Sequence, residues 1–133
     1  MHPEIDADAT KAMHSVEGRV IIVTGSGQGV GRGMANHLAK GGATVVVAEW
    51  NAEKMQRTCD ELTQLGAPNL GVEVDIQQRE QIDAMVARTV EEFGRVDGII
   101  NNAQTFRANA PVADVSADDV EVFGLATSAP AVR

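Results

Sequence analysis

The chain has 133 residues, with 11 Lys+Arg against 19 Asp+Glu and a formal net charge of −8. Apolar residues make up 44% and charged residues 23%, the balance of one folded globular domain rather than a disordered segment. The acid excess argues against nucleic acid or an anionic membrane as partner, because both need clustered Lys/Arg.

The single cysteine, Cys59, excludes an internal disulfide framework and a Cys-based metal site. No apolar run approaches the roughly 18–20 residues that span a bilayer. Glu4, Asp6 and Asp8 sit where a secretory signal would be basic and then apolar, so none is expected. These features predict a soluble protein of a reducing, cytoplasmic compartment.

Residues 1–17 show no period and read as a flexible leader. From residue 18 the pattern becomes regular. Val20–Val23 is a continuous β-branched run, the signature of a strand buried on both faces. A glycine-rich turn follows, from Gly25 to Gly33. Val30, Met34 and Leu38 then recur every four residues, which predicts a helix stopped by Gly41-Gly42. Ala43–Ala48 reads as a second buried strand. Asn51 reads as the N-cap of a helix carrying Met55, Cys59, Leu62 and Leu65 and ending at Gly66 and Pro68. Leu70–Val74 is a third strand, ending at Asp75. Ile82, Met85, Val86, Val90 and Phe93 give a further helical stripe, closed by Gly94, and Val96–Ile100 is a fourth strand. Beyond Asn101 the periodicity weakens. Ser116 reads as a helix cap, with Val120 and Phe123 continuing that helix. Strands alternating with helices of this length predict βαβ units and a parallel sheet with right-handed crossovers.

The segment Thr24-Gly25-Ser26-Gly27-Gln28-Gly29-Val30-Gly31 lies between a buried strand and an amphipathic helix. In that context glycines permit a tight turn and let the backbone approach a pyrophosphate. The helix beginning near Val30 offers free N–H groups and the positive end of its dipole. The bland alternative is a tight strand-to-helix turn and nothing more. No window matches G-x-G-x-x-G. The match is T-G-x-x-x-G-x-G, met by Thr24, Gly25, Gly29 and Gly31.

This pattern resembles the short-chain dehydrogenase/reductase family. Gln28 departs from the related T-G-x-x-G-x-x-G pattern of the family's extended members. The resemblance covers about residues 17–127. It implies an α/β, Rossmann-like, doubly wound parallel sheet, truncated to about four strands in the order 3-2-1-4 with flanking helices. Residues 18–133 are then expected to be a dinucleotide-binding half-domain.

The resemblance also assigns cofactor-binding residues. Gly25, Gly27, Gln28, Gly29, Val30 and Gly31 form the turn. Glu49 ends the second strand, 18 residues past Gly31, where a carboxylate accepts hydrogen bonds from the adenosine ribose hydroxyls and repels the 2′-phosphate of NADP. NAD is therefore expected over NADP. No Lys or Arg is expected near Glu49, Arg32 in the helix being the closest basic candidate. Trp50 shields the adenosine site or caps the sheet edge. Asp75 and Ile76 fall where the family contacts adenine, although Asp75 also suits a helix cap. Asn101-Asn102-Ala103-Gln104 resembles the family's N-N-A-G, with Gln104 in place of glycine, and puts Asn102, Ala103 and Gln104 beside the cofactor. His37 reads as a surface residue, and no His/Asp/Glu cluster has metal spacing.

In the family, hydride passes between a nicotinamide and an alcohol or carbonyl. Tyrosine in Y-x-x-x-K is the acid/base, with lysine, serine and asparagine in support. This sequence has no tyrosine, its last lysine is Lys54, and Thr127 falls near the relay asparagine's position. The resemblance thus implies the cofactor-binding half of an NAD-linked oxidoreductase without its catalytic residues. These 133 residues are expected to be inactive alone, and an alcohol or carbonyl substrate to need a complete chain. A non-catalytic dinucleotide-binding or interaction module, or a non-functional remnant, is the rival reading. An uncovered fourth strand predicts self-association. The substrate stays open.

Overall fold

The computed structural model describes residues 6–104, Asp114 and 116–118. Eight elements run in the order α1 (Ala7–Met13), β1 (Val20–Thr24), α2 (Gly29–Lys40), β2 (Thr44–Glu49), α3 (Ala52–Gln64), β3 (Asn69–Glu73), α4 (Arg79–Phe93) and β4 (Gly98–Ile100). The strands form one parallel sheet in the order β3-β2-β1-β4. The chain thus leaves β1 in one direction, to β2 and β3, and returns across the sheet to the other side of β1. This is the doubly wound half-fold expected from the sequence.

The β-branched run of β1 is unbroken because both faces of the sheet are covered. Ile21 and Val23 pack with Val45, Val47, Ala35, Ala39, Cys59 and Leu62, on the face that carries α2 and α3. Val20 and Ile22 pack with Val46, Ala48, Val72 and Met85, on the face that carries α4. Pairing of Val20 with Thr44 through Thr24 with Ala48 ends the first two strands together. The glycine turn and the loop after β2 therefore open side by side.

Three details differ from the sequence expectation. In α2 the buried residues are Gly31, Ala35 and Ala39, one position on from the stripe of Val30, Met34 and Leu38. Small residues let the helix lie close to the sheet, and Val30 is left 73% exposed. In α4 the buried Thr89 turns its hydroxyl back to the Met85 carbonyl at 2.8 Å, which satisfies it inside the helix. Within the expected leader, α1 forms on a cap from Asp6, whose Oδ1 accepts from the N–H groups of Asp8 and Ala9 at 2.9 and 3.2 Å. Val16 packs on the first core cluster.

Ala117 and Asp118 are helical directly after Ser116. The expected continuation through Val120 and Phe123 lies outside the described residues. Among the described residues no helix is long and apolar enough to cross a membrane.

Candidate functional site

The turn after β1 is built from backbone held by side chains of α3. The N–H of Gly25 donates to the Ala48 carbonyl at 2.8 Å, tying the turn to the end of β2. Thr58 Oγ1 donates to the Ser26 carbonyl at 3.0 Å, and Arg57 Nη2 to the Gly27 carbonyl at 3.0 Å. Ser26 Oγ donates to the Val23 carbonyl at 2.7 Å. Gln28 is the N-cap of α2, and the first bond of that helix runs from Arg32 N–H to the Gln28 carbonyl. The N–H groups of Gly29, Val30 and Gly31 precede it, the arrangement that receives an anion at a helix start.

Three glycines of the turn are required by contact: a Cβ on Gly25, whose φ is +67°, would lie 2.8 Å from Ala103 Cα. A Cβ on Gly31 would run into the Gly25 carbonyl and come 2.5 Å from Asn102 Nδ2. A Cβ on Gly27 would lie 2.7 Å from Glu49 Cγ and 2.8 Å from Lys54 Cβ. Gly27 lies outside the family's T-G-x-x-x-G-x-G pattern, so its need arises from the side chains of this protein.

Glu49 is 4% exposed. Its Oε2 accepts from Gly27 N–H at 3.0 Å, and its Oε1 from Asn51 N–H at 3.4 Å. Each carboxylate oxygen keeps a lone pair for another donor. Lys54 packs on the same glycine as Glu49, since a Cβ on Gly27 would meet both stems, which overturns the expectation that no Lys or Arg lies near Glu49. Lys54 Nζ donates to Gln28 Oε1 at 2.5 Å, and Arg57 holds the Gly27 carbonyl. Arg32, the basic residue expected closest, is engaged elsewhere. It forms an ion pair with Glu61 of α3, which Asn36 also bonds at 3.2 Å. The hydrogen bond from the Arg32 guanidinium holds the Glu61 carboxyl below its ordinary range.

Beneath the turn lies a cavity of about 470 Å³ lined by Gly25, Gln28, Ala48, Glu49, Trp50, Val74, Asp75, Ile76, Gln77, Ala103 and Gln104. Of the residues expected at a cofactor site, Gly25, Gln28, Glu49, Trp50, Asp75, Ile76, Ala103 and Gln104 meet here. Gly27, Gly29 and Gly31 shape the turn without lining the cavity. Val30 lines a separate groove with Met34 and Leu38. Asn102 sits behind the turn as a brace. Its Nδ2 donates to the carbonyls of Thr24 and Gly25, each at 3.2 Å, and its N–H reaches Thr24 Oγ1 at 3.0 Å. Asp75 Oδ1 accepts from Gln77 N–H at 3.0 Å, while the N-cap of α4 is Gln78, so Asp75 closes a local loop rather than capping the helix. Trp50 stands 74% exposed at the rim.

Ala48, Val74 and Gln77 line the cavity but were not singled out in the sequence. The first two follow from strand alternation toward the open end. Lys54 and Arg57 were missed too. No sequence signal marks them, because they reach the turn only through the packing of α3 beside it.

The residues present fit a dinucleotide. Helix-start N–H groups suit a pyrophosphate, Glu49 suits ribose hydroxyls, and Ala48, Val74 and Ile76 form an apolar wall for a base. Among the described residues no group of His, Cys, Asp and Glu is placed to hold a metal.

Comparison with known proteins agrees with this geometry. A family model described as short chain dehydrogenase matches residues 19–124. A short chain dehydrogenase/reductase of Aspergillus oryzae is 41% identical over 105 residues, covering 78% of this chain and 40% of that protein. The crystal structure of 3-ketoacyl-(acyl-carrier-protein) reductase from Brucella melitensis complexed with NADH superposes with a TM-score of 0.76 at 31% identity, over 89% of this chain and 47% of that one. L-sorbose reductase from Gluconobacter frateurii, complexed with NADPH and L-sorbose, gives 0.79 at 27% identity, over 89% and 45%. The chain thus spans about half the length of the relatives it matches.

Proposed function

The chain belongs to the short-chain dehydrogenase family, and from that membership we propose that residues 18–133 are the cofactor-binding half-domain of an oxidoreductase preferring NAD(H), preceded by a leader at 1–17. Its proposed cofactor residues are Gly25, Gly27, Gln28, Gly29, Val30, Gly31, Glu49, Trp50, Asp75, Ile76, Asn102, Ala103 and Gln104. The observation that carries the preference is Glu49: a buried carboxylate on the cavity wall, fixed by the N–H groups of Gly27 and Asn51. It accepts from a ribose diol and repels a 2′-phosphate.

When bound, the nicotinamide supplies or accepts the hydride exchanged with an alcohol or carbonyl group. The chain's own part is binding and orientation. The first-turn N–H groups of α2 take the pyrophosphate, Glu49 the ribose, and Ile76 and Val74 keep water from the base. Nothing in the sequence offers the tyrosine hydroxyl that would move a proton at the substrate oxygen. The substrate is therefore proposed to bind only in a longer polypeptide, and these 133 residues to bind nucleotide without turnover. The protein is further proposed to be soluble and cytoplasmic, to avoid nucleic acid and membranes, and to self-associate.

The test is a titration of the purified chain with NAD+ and NADP+, followed by the fluorescence of its one tryptophan, Trp50, which lines the cavity. NAD+ is expected to bind roughly tenfold tighter or more, a gap of about 1.4 kcal/mol. Glu49→Ala is expected to shrink that gap. Tighter NADP+ binding overturns the preference. Saturable NADH oxidation lost on Gly29→Asp overturns the inactivity.

A further inference from the structure

Lys54 is set apart from the other cations around the turn. Arg32 is paired with Glu61, and Arg57 is committed to the Gly27 carbonyl. Among the described residues the ion pairs are Arg32–Glu61, Arg79–Asp83 and Arg95–Asp97, and Lys54 is in none of them. Its ammonium donates to a neutral acceptor, Gln28 Oε1, on a residue that lines the cavity beside Glu49 and Trp50. The lysine stem and the glutamate stem flank the same glycine, as the contacts around Gly27 show. The stems of Glu49 and Lys54 thus meet over Gly27, and the Lys54 ammonium reaches Gln28, which lines the cavity.

We propose that Lys54 is a specificity-determining residue of this site: its ammonium is the seat for a phosphate on the ribose 2′ position, and it limits how strongly Glu49 rejects that phosphate. This rests on the dinucleotide reading above.

Three features support it. A lysine ammonium is a compact charge on a flexible stem, and needs only to come within reach of a phosphate, not to meet a fixed geometry. Exchanging a neutral amide oxygen for a phosphate oxygen replaces an ordinary hydrogen bond with a charge-assisted one between opposite charges. The same place carries the start of α3, a 13-residue helix whose cap, Asn51 Oδ1, takes the Lys54 N–H at 3.0 Å. The positive end of that helix adds to the ammonium. Glu53 in the first turn of α3, Glu49 and Asp75 oppose it, so the seat is a balance of charges and its affinity depends on each one.

The experiment uses two half-ligands that occupy only the adenosine end, 5′-AMP and adenosine 2′,5′-bisphosphate. Each is titrated against the whole 133-residue chain by Trp50 fluorescence. Lys54→Met is expected to weaken the bisphosphate about tenfold and to change AMP by less than twofold. Lys54→Arg is expected to restore the bisphosphate. Raising the salt on the unmodified chain is expected to shrink the bisphosphate-to-AMP affinity ratio, a readout that needs no variant to fold. Equal loss for both ligands means that Lys54 only props the turn, and overturns the proposal. So does an unchanged bisphosphate affinity, or an affinity ratio insensitive to salt. If the unmodified chain binds neither ligand at millimolar concentration, the dinucleotide reading itself falls, and the Lys54 proposal with it.

Discussion

Glu49 has both oxygens pointed at backbone N–H groups, those of Gly27 and Asn51. A carboxylate suits this because it accepts at both ends, whereas an amide accepts at one and donates at the other. Glu49→Gln therefore sets an NH2 group against an N–H in a buried place. The expected loss is about 1–3 kcal/mol of stability, read from the urea midpoint. An unchanged midpoint would show that the two bonds do not hold the turn. The glycines divide by cause. Gly29 has φ of +55° but open space where a Cβ would go, so Gly29→Ala meets only backbone strain of about 1 kcal/mol. Gly31 has no space, because its neighbour is the Gly25 backbone. Gly31→Ala is expected to cost about 2 kcal/mol or more, since the turn itself must move. The order of the two midpoints is the check, and a milder effect at Gly31 would contradict the contact argument.

Among the elements, β1 depends on a contact from the far end of α4. Asp97, in the loop between α4 and β4, accepts from Val20 N–H at 2.8 Å and is held by Arg95. The Arg95 hydrogen bond first, and the Val20 N–H second, keep its carboxyl below the usual aspartate range. A lowered folded value gives stability that is complete above the unfolded value of about 3.9 and lost as pH falls through the folded one. Asp97→Asn keeps an acceptor for Val20 but gives up the charge. The variant is expected to be less stable near pH 6, with its gap to the unmodified chain closing below about pH 4. A gap that stays constant with pH would show that the charge at 97 is idle.

The strands were legible in the sequence because burial on both faces forces unbroken β-branched runs, while their order was implied by the resemblance to the family. The buried face of α2 was not legible. Gly31, Ala35 and Ala39 carry little hydrophobic signal, while the exposed Val30 carries more. Nor was α1, a seven-residue helix resting on an aspartate cap with no apolar stripe. At the site, Glu49 and the turn were marked by spacing. Lys54 and Arg57 reach the turn from a different element, and only the packing of α3 beside it brings them there.

For the whole molecule, the sheet order leaves β4 paired with β1 alone among the described residues. Its outer edge presents the N–H and C=O groups that invite another strand. Ile99, on the face shared with α4, is 41% exposed, and on the opposite face Val30, Met34, Leu38 and Ile100 line a shallow apolar groove. Ile100 of β4 places that groove beside the open edge. Val120 and Phe123, expected to continue the helix after Ser116, lie outside the described residues. Net charge of −8 opposes association, but screening over about 10 Å at 0.1 M salt leaves short-range apolar contact to decide. The purified chain is therefore expected to self-associate, with a sedimentation-average mass that rises over a micromolar concentration series. Added salt is expected to strengthen the effect, because it removes the repulsion and spares the apolar term. Ile99→Lys, which puts a charge on the open edge, is expected to lower the association without altering the fold. A monomer whose mass is independent of concentration, and which unfolds in one cooperative step, would mean that the edge is covered by the chain's own residues and that this half-fold is self-sufficient.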